Sequence, residues 1–307
     1  MNKTSSRFSR QPLSRRRFLG TSALLGAGLT LSACETGLAS FSKEPEPNEQ
    51  LVRLAAAIKN SQRDPKWSKF LGKQYDLVQQ EALRQCGVDK DGNTPQQCKE
   101  KFLDTDSSQA DQGISLKEAY ERALDGDQKG LVAGLYAAYV AANQKMSQTN
   151  AHPPRVSKEI ADGFSDAAAE FGTVLTLTYG AIFATGVALA KDATPDGSAS
   201  IQEIANELRT LRDQCIDVLE ELGAEVPAPE PGYTQGKADN MTAAAGYLYP
   251  TILPISVELR RISAQATNPQ AVEFAAGWLK ATACDEAVLE RLQGKDPRKI
   301  TLRGEPA

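Results

Sequence analysis

The chain has 307 residues, 41% of them hydrophobic and 24% charged, enough apolar material for a packed core and too much for global disorder. Its formal charge of −4 hides an asymmetry. Six of the 35 Lys and Arg lie in residues 1–33, which hold no acid, so the remainder carries 29 basic against 39 acidic residues. An acidic body excludes nucleic acid as a partner, because phosphate binding needs a basic face.

Residues 1–33 read as an export signal: basic start, apolar middle, small-residue end. The apolar run 19–33 falls short of the roughly 20 residues that span a bilayer. Ser14-Arg15-Arg16-Arg17-Phe18-Leu19 resembles the twin-arginine export motif, with Arg15, Arg16, Phe18 and Leu19 at its defining positions. Gly20 departs from the Lys common in the last place. Leu31-Ser32-Ala33-Cys34 resembles a lipobox. These resemblances imply passage through the twin-arginine export machinery and a lipid-modified Cys34 as the new N-terminus. Two or more acyl chains on one cysteine anchor stably, so the expected location is the outer face of the cell membrane. Residues 34–48, polar and Pro-containing, are expected to form a flexible spacer.

Beyond the spacer almost every segment reads as helix, and no strand pattern holds. A helix is expected at 49–60. Asp64-Pro65, a cap followed by proline at the first helical position, opens the next, and together they form a hairpin. Four further cysteines, Cys86, Cys98, Cys215 and Cys284, suggest two disulfides in an exported protein. Three pairings are possible. Cys86–Cys98 is favoured because it closes the turn-rich loop CGVDKDGNTPQQC, leaving Cys215 with Cys284. No CxxC spacing or nearby histidine supports zinc. Ser115 to Glu118 is a capping box, and a further helix is expected over 127–146. Pro153-Pro154 excludes helix and places a boundary between an N-terminal helical region, 49–147, and a second region, 157–294.

In the second region one long helix is expected over 158–191, then a Pro/Gly turn. A second capping box at Ser200 to Glu203 opens a helix that stops at Gly223. After a long Pro/Gly-rich connection a helix over 240–266 is expected to kink or break at Pro250 and Pro254. Asn268-Pro269 opens the last helix, and the polar tail 295–307 is expected to be loose. Short loop, long connection, short loop is the layout of a four-helix bundle with a crossover.

The residues that carry a resemblance are Ala184-Thr185-Gly186-Val187, Arg209, Arg212-Asp213, Leu222-Gly223-Ala224, Pro227 and Tyr233. They resemble a ferritin-like domain family of unknown function in actinobacterial envelope proteins, over roughly residues 164–292. The resemblance implies a ferritin-like four-helix bundle; joined to the helical reading of the residues, it gives an all-α chain whose N-terminal helical hairpin region precedes that bundle. It does not imply iron. Di-iron bundles use Glu-x-x-His on two helices. This chain has one histidine, His152, in the Pro loop, and no Glu-x-x-His. Where the family places Glu-His and His-Arg, Thr178-Tyr179 and Leu208-Arg209 stand.

Other candidates are weighed on residue type. Asp162, Asp166 and Glu170 at four-residue spacing could hold a hard cation, against the plainer reading of a solvated face. Arg209, Arg212 and Asp213 could meet an anionic ligand, or pair structurally with Glu258 or Asp285. Tyr179, with Phe183, Tyr247 and Tyr249, could line a ligand pocket, though aromatics at helical spacing are usually core. Nucleophilic Ser or Cys would lack a histidine partner. The expectation is therefore a non-catalytic binding or structural protein of the cell envelope, without cofactor, tethered to the membrane and meeting an envelope partner. A metal-handling protein with an all-carboxylate site and a carrier of an apolar small molecule are the alternatives.

Overall fold

The computed structural model describes residues 46–89, 91–108, 114–144, 153–191, 195–234, 236 and 238–306. The export motif at Arg15, Arg16, Phe18 and Leu19, the lipobox with Cys34, most of the spacer, and His152 lie outside them. All regular structure among the described residues is helical.

The first helices form where caps and apolar spacing coincide. In α1 (Glu49–Ser61) the Asn48 side chain accepts from the Gln50 and Leu51 amides, both at 3.1 Å. In α2 (Pro65–Gln85) Asp64 accepts from Lys66 at 2.9 Å and proline fills the first position. Leu51, Leu54, Ala55 and Ile58 on α1 meet Phe70, Leu71 and Val78 on α2 in the core. Cys86 and Cys98 are bonded, joining the end of α2 to the start of α3 (Gln96–Ser108). No apolar stripe announces α3. What seats it is a pair four residues apart, Cys98 and Phe102, both fully buried. The Ser115 hydroxyl caps α4 (Leu116–Ala123) by accepting from Glu118 at 3.2 Å.

α5 (Lys129–Asn143) lies against both α9 (Met241–Gln265) and α10 (Pro269–Leu292). The boundary expected near residue 150 therefore separates no two cores, and residues Glu44–Ala307 form one compact unit.

The helix expected over 158–191 is two, α6 (Lys158–Asp162) and α7 (Ala168–Lys191). The break comes from tertiary contact. The Gly163 carbonyl accepts from the Thr267 amide at 3.0 Å. A side chain at 163 would stand 2.5 Å from Ala271 Cβ and from Asn268 Nδ2, so only glycine lets α6 meet the α9–α10 turn. α8 (Pro195–Glu221) begins before Ser200, which is a buried residue inside the helix and not its cap. It ends on Gly223 at φ +64°, with the Ala224 amide bonded back to the Leu219 carbonyl at 2.9 Å. α9 runs through Pro250 and Pro254 without interruption.

α7 pairs with α8 and α9 with α10, and α7 also packs along α9. The 222–240 connection crosses beside α7, where Tyr233 meets Phe183 with ring centroids 5.3 Å apart. By length and composition, residues Ala168–Ala190 could cross a membrane, at mean hydropathy 1.6. Here α8 and α9 pack against that helix, and 44% of its apolar window is buried. α10 is the central helix: all ten residues from Ala281 to Glu290 are buried.

The tail is not loose. Leu302, Arg303 and Gly304 are buried, and the Arg303 amide donates to the Gly134 carbonyl at 3.1 Å. A Cβ at 134 would lie 2.7 Å from the Arg303 carbonyl oxygen, so glycine allows this approach. Polar composition suggested exposure; charges waiting inside the core reverse it.

Candidate functional site

The residues singled out from sequence do not converge. Arg209 Nη1 donates to Asn206 Oδ1 at 2.9 Å, and Arg212 pairs with adjacent Asp213 at 2.7 Å, on the outward face of α8. The partners expected for them are engaged elsewhere: Glu258 pairs with Arg261 at 2.9 Å, and Asp285 faces Glu207. Tyr179 is half-buried on α7, while Tyr247 donates to the Thr234 carbonyl at 3.3 Å. Asp162, Asp166 and Glu170 are divided among α6, the following turn and α7, and Glu170 accepts from Gln265 at 3.1 Å. Among the described residues no group of three or more His, Cys, Asp and Glu is placed to hold a metal ion. Cys215 and Cys284 are separate buried thiols, contrary to the second bridge expected. Burial alone raises the Cys215 pKa; it leads for Cys284 too, aided by Asp285 and Glu207, so both stay protonated and inert.

What the fold does assemble is an ionic centre that the sequence reading missed. Glu286 and Glu290, one helical turn apart, face Arg303 from the tail; the three are 0%, 3% and 1% exposed. Arg303 donates to Glu286 at 2.6 Å and forks onto both oxygens of Glu290 at 2.9 and 2.8 Å. The Ser256 hydroxyl on α9 closes the cluster with a hydrogen bond to Glu286. Burial works against charge on Arg303, yet the two carboxylates outweigh it and raise its pKa. Burial likewise raises Glu286, with Arg303 and Ser256 opposing. Burial, then Glu286 and Glu290, push the neighbouring Tyr249 hydroxyl up.

One residue away, Asp285 points toward α8. Burial first, then the charge of Glu207 and a hydrogen bond to it, hold Asp285 well above the usual carboxylate range. Further along, Trp278 Nε1 donates to Gln214 Oε1 at 2.7 Å. The central helix thus binds α8, α9 and the tail by separate polar contacts. Gln74 ties in the N-terminal helices: it donates to the Leu135 and Thr301 carbonyls at 2.8 and 2.9 Å and accepts from Tyr120 at 2.5 Å.

A sequence signal for the centre did exist. Asp285, Glu286 and Glu290 interrupt an Ala-rich helix, and two acids at four-residue spacing on a buried face demand a cation. The cation lay in a segment whose polarity marked it as solvent-exposed. Chemically, the arrangement is spent on itself: each inward carboxylate of Glu286 and Glu290 is bonded to a cation, and Asp285 shares its hydrogen bond with Glu207. Such groups do not fit a di-iron site, which needs unengaged carboxylates and histidines facing one space. Comparison with protein-family models, with curated proteins and with solved structures finds no match for this chain.

Proposed function

We propose that this is a lipid-anchored, extracytoplasmic helical protein of the cell envelope with a non-catalytic binding or structural role. In this reading α7–α10 form a ferritin-like four-helix bundle that lacks di-iron ligands. The observation that carries the proposal is the order of signals: Arg15, Arg16, Phe18 and Leu19, then a short apolar run, then Cys34 after Leu31-Ser32-Ala33. The acidic remainder of the chain and the Cys86–Cys98 bond accord with an oxidising exterior. The non-catalytic part is supported by an interior whose buried acids Glu286, Glu290 and Asp285 are engaged with Arg303 and Glu207.

Fractionation of cells producing the chain tests it. The wild type is expected in the membrane fraction and accessible to protease from outside. Arg15→Lys with Arg16→Lys should keep it inside, and Cys34→Ala should stop lipid labelling. Export unaffected by the arginine pair, or membrane association unaffected by Cys34→Ala, would refute the route or the anchor respectively.

A further inference from the structure

Away from the ionic centre, the end of α4 and the first turns of α10 enclose a pocket of about 280 Å³. Glu121, Leu124 and Asp125 line one side and Val272, Glu273, Ala276 and Lys280 the other. Leu124, Val272 and Ala276 are buried and make an apolar floor. Lys280 Nζ stands 4.8 Å from the centroid of the Tyr136 ring, whose hydroxyl donates to Glu121 at 2.9 Å. Glu121 is also approached by Lys117 at 3.8 Å. Lys280 makes no hydrogen bond or ion pair with any described residue, and the side chains of Asp125 and Glu273 make none either. Burial lowers the Lys280 pKa, with Glu121 and Glu273 opposing.

Asp125 and Glu273 are exposed, and Glu273 acts on Lys280 as a distant charge without pairing with it. Glu273 and Lys280 are seven residues apart on one face of α10, about 10 Å along its axis at 1.5 Å per residue. A partly dehydrated ammonium with free donors at one end, beside a Glu121 already engaged by Tyr136 and Lys117, exposed carboxylates farther along and an apolar strip between them describe the complement of a zwitterion of that length. An extended residue spans roughly 3.3 Å, so two or three residues bridge the gap. We propose that this pocket binds a short peptide with free ends, its carboxylate on Lys280, its ammonium toward Asp125 and Glu273, and small side chains over Leu124, Val272 and Ala276. Tyr136 holds the Lys280 ammonium by its ring face, and Glu121 in turn holds the Tyr136 hydroxyl. The acids at the far end repel ligands that carry two anionic groups.

This inference rests on the binding role proposed above and names its ligand class. It fails separately: an anchored protein that ignores peptide would sink the inference alone, and a protein that binds peptide without being anchored would sink the anchor alone. The test is calorimetric titration of tri-L-alanine, and of its N-acetylated and C-amidated forms, into the full chain in detergent. Saturable binding at one site is expected, and each blocked form should bind about tenfold more weakly or worse, the weight of one charge-assisted contact. Lys280→Met should erase the preference for a free carboxylate, and Glu273→Gln, at an exposed position that folding does not need, the preference for a free ammonium. Absence of saturable binding to folded protein, or unchanged preferences in a folded Glu273→Gln variant, would overturn the proposal.

Discussion

Glu286, Glu290 and Arg303 face one another with almost no exposure to water, and what each contributes depends on the others being present. An ion pair of this kind repays its desolvation only while intact; removing one member strands the other charges. Arg303→Met is therefore expected to cost about 3–5 kcal/mol, read from urea unfolding. Adding Glu286→Gln and Glu290→Gln to Arg303→Met should recover much of the loss, since neutral amides no longer need a cation. Asp285 supplies a pH dependence. Its pKa is raised in the folded chain by burial, by Glu207, Glu286 and Glu203, so the folded protein keeps a proton that the unfolded chain releases. The contribution is fully present below about pH 4, the ordinary Asp value, and is lost as pH rises through the folded-state value. Glu286, also raised, acts with the same sign. Stability should fall as pH rises above about 4, and the fall should be shallower in Asp285→Asn, measured by denaturation midpoints from acid to neutral pH.

Helix starts were the most legible elements, because a cap is a local event. Asp64-Pro65, Ser115 and Asn268-Pro269 each open a helix where their chemistry says one should begin. Ser200 failed as a cap because Pro195 had already begun the helix upstream. α6 and α7 were read as one because their apolar period is continuous, while the event that divides them is a hydrogen bond from Thr267, over 100 residues away. Gly163→Ala should press on Ala271 and Asn268 and cost about 1–3 kcal/mol, seen as a lower melting temperature. α3 was not legible at all: it is polar along most of its length, and its seat is the Cys86 bond together with Phe102. Replacing both Cys86 and Cys98 with serine is expected to cost about 2–3 kcal/mol, as loop entropy returns to the unfolded chain. Protease cleavage near 96–108 under native conditions would report the same loss locally.

At the scale of the whole molecule, an all-helical body was readable from periodicity, but its closure was not. The tail carries Thr301 to Gln74, Arg303 to Glu286 and Glu290, and Gly304 to Arg260, linking α2, α9 and α10 in four residues. Those links are long-range pairings of single groups, which no window of sequence displays. The candidate sites show the same limit. Arg209, Arg212 and Asp213 were conspicuous as a charge cluster and proved to be surface pairs. Glu286 and Glu290 left a trace as acids in an Ala-rich helix, but their partner Arg303 and the Lys280 pocket became visible only once α10 was placed at the centre. The claim about what the protein does rests instead on residues 14–34, where order and spacing alone carry the message. Mass spectrometry of the N-terminal peptide from membrane-purified protein tests it most directly. The expected chain begins at Cys34 with diacylglycerol on its sulfur; a chain that keeps residues 1–33, or one whose Cys34 carries no lipid, would contradict the export and anchor reading.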